Sequence, residues 1–427
     1  MHLPEQRKGP PEWLAKPGAW FWLLCTAGLF LRLYLASATR GTADADLWTE
    51  HAAGVNADGL IGHYERNVLF NHPPFAGYLM AKLWQLADYW RIEFRVLYRS
   101  IFSMVDLVNV WLLLRVLESH RWRYLLAGLY AVAPVALVLS AMHGNTDALV
   151  STCLLLTCLA TGARRPLLAG VSIGIGAWIK VPALLAAPAF GFAFPAWRDR
   201  VYCAGVAVAV AALTYLPAFA VNPTLLSSRI FGYRGMFVAV SSDPPTWIWG
   251  FQIWITRLFA ANVADWPPTY VWFREHSFWV AIPILSLYGF LRRRGNDAAS
   301  LAATVAGTYA IFYAFTEQWT FQYFAWSMPF WLLAGRTFAV AANVFGGGYI
   351  YALYAYLCGD WLLRPVWTIQ AHPNWPVPMI LLRDLAHATF VTFAIHFLAS
   401  AVVAEWRLRS APKAAVKRSG HRRPKSR

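Results

Sequence analysis

Charge is scarce in this chain of 427 residues: Asp, Glu, Lys and Arg make up 14%, against 58% hydrophobic side chains. So few charges cannot clothe one soluble core, which excludes an ordinary soluble fold. Period-two alternation is also missing. Runs such as LLCTAGLFLRLYLA and ALVSTCLLLTCLA are mostly apolar and show no period of two, which excludes the alternating strands of a membrane β-barrel. Cysteine is sparse and dispersed. Cys25, Cys153, Cys158, Cys203 and Cys358 lie within or at the ends of apolar runs, so they read as small hydrophobes, not as a disulfide framework or a zinc site. Acids are few, 21 against 37 basic residues, giving a net charge of +16. Nine of the basic residues and one acid fall in Glu405–Arg427. A basic tail beside a span is drawn to anionic lipid headgroups, and this placement argues against nucleic acid.

What the chain has instead is a series of apolar spans. A spanning helix needs about 20 mostly apolar residues, and backbone groups inside lipid must be satisfied within the segment. The expected fold is therefore all-α: a polytopic transmembrane helical bundle. The first span follows a short Pro-rich basic stretch, RKGPPEWLAKPG. No clear small-residue cleavage site follows it, so it reads as a retained helix. Residues 1–403 are expected to form one transmembrane domain and 404–427 a basic cytoplasmic tail.

Topology follows from loop charge, because short Lys- and Arg-rich loops stay cytoplasmic. The N-terminus, His120–Arg123, Gly162–Arg165, Trp197–Arg200, Arg292–Arg294 and Arg336 are basic. They alternate with acidic or aromatic loops at Gly41–Pro74, His143–Asp147, Asn222–His276, Glu317–Tyr323 and Gly359–Pro376. Threading this alternation gives about twelve spans with both termini cytoplasmic. Val181–Pro195 and Thr246–Ala261 are short or Pro-bounded, so the count carries a margin of about one or two.

Four polar groups stand at the outer face. The first is Asp44-Ala-Asp46 with Glu50, in an acidic outer loop spanning Gly41–Leu79. A carboxylate pair at the water boundary is a candidate general base or metal-ligand pair, against the plain alternative of solvated acids. The second is FNHPPFAGYL, where two prolines stiffen the approach to the next apolar segment and set His72 at a defined depth. The third is MHGNTDALV: His143, Asn145 and Asp147 form a sugar-binding edge, or one residue caps the next helix. The fourth is FTEQWTFQYFAWSMPF, where Glu317, Gln318 and Gln322 lie among Trp319, Tyr323 and Trp326. Such aromatics are belt anchors, and they are also surfaces on which a carbohydrate stacks.

These residues carry a resemblance. D-x-D directly after the first span, with H-P-P about twenty-five residues later, resembles the GT-C superfamily of polyprenyl-phosphate-sugar-dependent glycosyltransferases. It looks like the glucosyltransferases of N-glycan assembly, with their acidic pair and Y-P-P, and like the first GPI mannosyltransferase, with D-x-D and R-G-N. HGNTDALV is similar to that R-G-N segment and to G-Q-x-D of bacterial members, and TEQWTFQYFAWSMPF to their H-E-x-Y…LP segment. The likeness runs in patches from the first span to about Phe330. The chain departs from it with His72 in place of Tyr, and Thr316 where His often precedes the Glu. It also has no large soluble C-terminal domain, which argues against an oligosaccharyltransferase.

The resemblance implies an inverting hexosyltransferase, moving mannose or glucose from a polyprenyl-phosphate donor to a lipid- or glycan-linked hydroxyl on the extracytoplasmic face. The membrane would be a plasma membrane in a bacterium or the endoplasmic reticulum in a eukaryote. Asp44 is the first choice for the base and Asp46 the second. Lys180, Arg229 and Arg234 are candidates to face the leaving phosphate, with snorkelling the alternative for Lys180. His72, His143, Asn145, Asp147, Glu317 and Gln318 are the remaining substrate-binding candidates. No cofactor is expected, and a divalent ion between Asp44 and Asp46 stays open as an alternative. The rival class is a transporter or flippase, whose broken helices would recur in two matching halves. No such repeat is found, and the polar groups gather at one face.

Overall fold

A computed structural model describes residues 16–232, 248–258, 265–317, 319–367 and 375–410. Among these residues every regular element is a helix. The main ones are α1 (Ala19–Ala38), α2 (Ala43–Arg66), α3 (Pro74–Trp90), α4 (Phe94–Val116) and α5 (Arg123–Ala131). After a short π-helical passage come α6 (Asp147–Gly162), α7 (Pro166–Ile179) and α8 (Trp197–Val221). The series closes with α9 (Pro268–Leu291), α10 (Ala298–Phe315), α11 (Gly348–Cys358) and α12 (Val377–Ser410). Helix α12 runs unbroken to Ser410. The Arg234 and Gln318 candidates lie outside the described residues.

Six helical stretches are long and apolar enough to cross a membrane, or seven if the bent pair Arg123–Ala131 and Pro134–His143 counts as one. Asp147–Gly162, Pro166–Ile179 and Val181–Ala193 are apolar but shorter. Helix α8 buries little of its surface and α10 most of it, as expected for a lipid-facing and a central helix. Small residues bring helices together where lipid offers no hydrophobic drive. A Cβ on Gly170 would lie 2.5 Å from the Cys203 carbonyl oxygen of α8, and one on Gly174 2.8 Å from that of Ala207. This Gly-x-x-x-Gly pair seats α7 directly on the backbone of α8.

The acidic segment is helical, which corrects the expectation of a loop. Ala45, Trp48, Ala52 and Val55 are buried on one face of α2, and their three- and four-residue spacing is helical. Gly59, at φ 71°, kinks the helix. Helix α3 starts beside this layer, with the His72 ring 4.6 Å from the Trp48 ring. Three residues separate its end from α4, whose Arg99 bonds to the last turn of α1. Both ends of α3 therefore lie at one end of the bundle, and α2 and α3 form a helical layer across it.

Candidate active site

Arg99 builds this end of the molecule. Its guanidinium donates to the carbonyls of Ala36 (2.7 Å), Thr39 (2.6 Å) and Met142 (3.3 Å). Carbonyls at a helix C-terminus have no partner within the helix, and a buried cation satisfies those of α1 and of the π-helical passage together. The passage, Val138–His143, ends at Gly144 with φ 69°. That left-handed turn favours glycine, and a Cβ there would also meet Arg99 Cγ at 2.3 Å. The turn sets His143 on one side and Asn145, Thr146 and Asp147 on the other. Insertions of π-helix often accompany functional sites.

Asp44, in the first turn of α2, meets these residues. Its Oδ2 lies 3.1 Å from His143 Nε2 and accepts a 2.7 Å hydrogen bond from Gln322 Nε2. Gln322 Oε1 in turn accepts from Asn145 Nδ2 at 2.8 Å. Two residues on, Asp147 Oδ1 receives both Lys180 Nζ and Trp326 Nε1, each at 2.7 Å. Lys180 ends α7, and Gln322 and Trp326 belong to the turn Phe321–Trp326 after α10. Four separate parts of the chain thus place two carboxylates, one ammonium and two amides at the same end.

Electrostatics keep Asp44 ionised. Burial pushes its carboxyl up, but the His143 ring, the Gln322 amide and the Lys180 charge hold it below the usual carboxylate range. Its side chain remains 24% exposed, so a ligand has access to it. Deeper in α2, His51 Nδ1 lies 3.0 Å from His63 Nε2. Burial, then the neighbouring ring, lowers His51 to about 3, so it is neutral at pH 7. Burial and the Lys180 charge likewise hold His72 well below its ordinary value.

Of the two acids in D-x-D, only Asp44 joins the cluster. Residues two apart on a helix point about 200° apart, and Asp46 is exposed. The two carboxylates therefore do not converge on one ion, and the pair does not fit a shared divalent site. Among the described residues no group of three His, Cys, Asp or Glu side chains is arranged to hold a metal. His72 reaches the neighbourhood through the Trp48 ring and the Lys180 charge. Glu317 stands apart: its carboxylate accepts the Phe251 N–H at 2.8 Å and the Gln252 N–H at 3.3 Å. It caps the short helix Gln252–Leu258, and burial raises it to about 7 against those amides. Arg229 donates to the Tyr64 carbonyl at 3.3 Å.

Thr42 and Trp326 were not singled out as site residues, and Gln322 was noted only as a polar interruption. Gln322 had a legible signal as one of two amides in an aromatic run. Thr42 and Trp326 had none, because their roles depend on neighbours about 100 and 180 residues away.

Comparison with known proteins bears on this arrangement. Residues 70–278 match the family model of glycosyltransferase family 87. The match contains His72, His143, Asn145, Asp147 and Lys180, and it stops short of Asp44 on one side and Gln322 on the other. No curated protein matches the chain.

Proposed function

Taking as premise that the chain is a membrane glycosyltransferase of the GT-C type, we propose that it transfers a hexose from a polyprenyl phosphate to a hydroxyl acceptor, with inversion. The sugar is mannose or glucose, the acceptor is lipid- or glycan-linked, and the reaction runs at the extracytoplasmic face of a bundle of about twelve spans with both termini cytoplasmic. The observation that carries the reading is the ionised, partly accessible Asp44 held beside His143 and Gln322, with the Lys180–Asp147 pair next to it.

An acceptor hydroxyl is a weak nucleophile at its free pKa, and a positioned carboxylate removes its proton as attack proceeds. The acceptor oxygen forms the new bond to the anomeric carbon from the face opposite the phosphate. The bond from that carbon to the phosphate oxygen breaks, its electron pair leaves with the polyprenyl phosphate, and the proton goes to Asp44. Developing charge on the leaving phosphate needs fixed cations, and we assign this role to Lys180, whose ammonium pairs with Asp147. His72, beside the Trp48 ring and within range of the Lys180 charge, is the polar group we assign to the sugar. The anionic headgroups of the surrounding lipid face the basic C-terminal tail.

The test is the contrast between the two acids. Asp44→Asn is expected to lower kcat by about 10²–10⁴-fold, the usual worth of a general base, with donor KM little changed. Asp46→Asn is expected to stay within a few-fold of the parent. Equal and mild losses from both would make the acids plain surface charge and remove the basis of this reading.

A further inference from the structure

His143 is fully buried, and its ring has two polar neighbours. Nδ1 lies 3.1 Å from Thr42 Oγ1, and Nε2 lies 3.1 Å from Asp44 Oδ2. The rings of Phe321, Tyr354 and Trp367 stand edge-on to it at 5.8, 6.0 and 6.4 Å. Nε2 makes no hydrogen bond that meets the usual geometry, and the polar atom beside it is the Asp44 carboxylate oxygen. A buried ring nitrogen with one charged neighbour is expensive to leave unmatched. If Nε2 were a bare lone pair, two acceptors would face each other at 3.1 Å, so the hydrogen belongs on Nε2. A neutral ring in that state presents Nδ1 as an acceptor, and the Thr42 hydroxyl is placed to donate to it.

A second donor is fixed in the same way. Asn145 Nδ2 donates to Gln322 Oε1, which turns Gln322 Nε2 toward Asp44. Both contacts to the carboxylate fall on Oδ2, and no side chain among the described residues bonds to Oδ1. The Asp44 group is faced by His143, Gln322 and the Lys180–Asp147 pair, with His51 and Tyr354 within electrostatic range.

We propose that His143, its tautomer set by Thr42, and Gln322, its amide set by Asn145, are positioning residues that hold Oδ2 of Asp44 and leave Oδ1 to take the acceptor proton. The proposal rests on the reading of Asp44 as the base. It moves His143 and Asn145 from contacting the sugar to orienting the carboxylate. Gly144 then has a purpose beyond the turn: it lets His143 and Asn145, one residue to either side, serve the same oxygen by separate routes.

The experiment uses purified full-length protein in lipid nanodiscs with polyprenyl-phosphate mannose and polyprenyl-phosphate glucose. Polyprenyl phosphate release is followed across pH for the parent, H143F, H143Q, T42V, T42S and D44N. Loss of a hydrogen bond to a charged group should cost H143F about 10-fold in kcat with KM little changed. The acid limb of the kcat profile should move up by about one pH unit, because the carboxylate loses a donor. H143Q, which keeps an N–H, should recover most of both. T42V keeps the ring but frees Nδ1 to take the hydrogen, so it should move the limb the same way, while T42S should not. A folded H143F with parental kcat and an unmoved acid limb would overturn the proposal, as would a loss confined to KM. If H143F does not fold, T42V decides: an unmoved limb there overturns it. Parental turnover by D44N would instead sink the reading of Asp44 itself, so the two failures are distinct.

Discussion

At the scale of single residues, ionisable groups have been placed inside apolar surroundings, and each must be matched. Asp147 is buried, and its Oδ1 serves both Lys180 and Trp326. Removing Lys180 alone would strand that carboxylate, which costs about 3–5 kcal/mol for a buried pair. Lys180→Met is therefore expected to lose stability and turnover together. Adding Asp147→Asn should restore the melting temperature but not the turnover, if the ammonium also stabilises the leaving phosphate. Recovery of both would reduce Lys180 to the partner of Asp147. Glu317 gives a pH signature. Its carboxyl sits at about 7 in the fold against 4.5 ordinarily, so the fold keeps a proton that the unfolded chain has lost. Stability should then fall as pH rises from about 4.5 to 7, by about 3 kcal/mol at most. Melting curves at pH 5 and pH 8 are expected to differ more for the parent than for Glu317→Gln; an identical pH response would contradict this.

At the scale of elements, the legibility of the sequence was uneven for physical reasons. Apolar spans are visible because lipid demands long runs of one kind. Helix α2 was read as a loop because its polar residues (Asp44, Asp46, Thr49, Glu50 and Asn56) hide a narrow apolar stripe at Ala45, Trp48, Ala52 and Val55. The pairing of α7 with α8 was missed for another reason: a Gly-x-x-x-Gly pair does not say which helix it faces. The close approach has a direct consequence. Gly174→Val forces a side chain against the Ala207 carbonyl and Val210 and should separate the helices at a cost of about 1–3 kcal/mol, the usual cost of overpacking. Gly205→Val, with open space around it, should be tolerated. A lowered melting temperature in detergent for the first and not the second is the expected outcome. Equal behaviour would mean that the α7–α8 contact is looser than described.

At the scale of the whole molecule, one end carries the polar groups and the rest is apolar packing. Loop charge alone sets Asp44, His72, His143 and Glu317 on one face; the structure gathers Asp44, His143, Asn145, Asp147 and Lys180, while Glu317 stands apart on the Phe251 and Gln252 amides. Which of them touch was not legible, because contacts such as Asp44 with Gln322 span 278 residues. The polar network also continues inward. The Arg32 guanidinium lies 3.4 Å from Asp106, which accepts a 2.5 Å hydrogen bond from Tyr130, joining α1, α4 and α5. The central claim for the molecule is that this end transfers a sugar from a lipid phosphate. Its most direct test offers purified protein radiolabelled polyprenyl-phosphate mannose or glucose, and in parallel the corresponding nucleotide sugars, with membrane lipid extract as acceptor. Consumption of a polyprenyl-phosphate donor, a new glycoside of inverted configuration, and no product from the nucleotide sugars are expected. Product from a nucleotide sugar, with the lipid donors left intact, would contradict it.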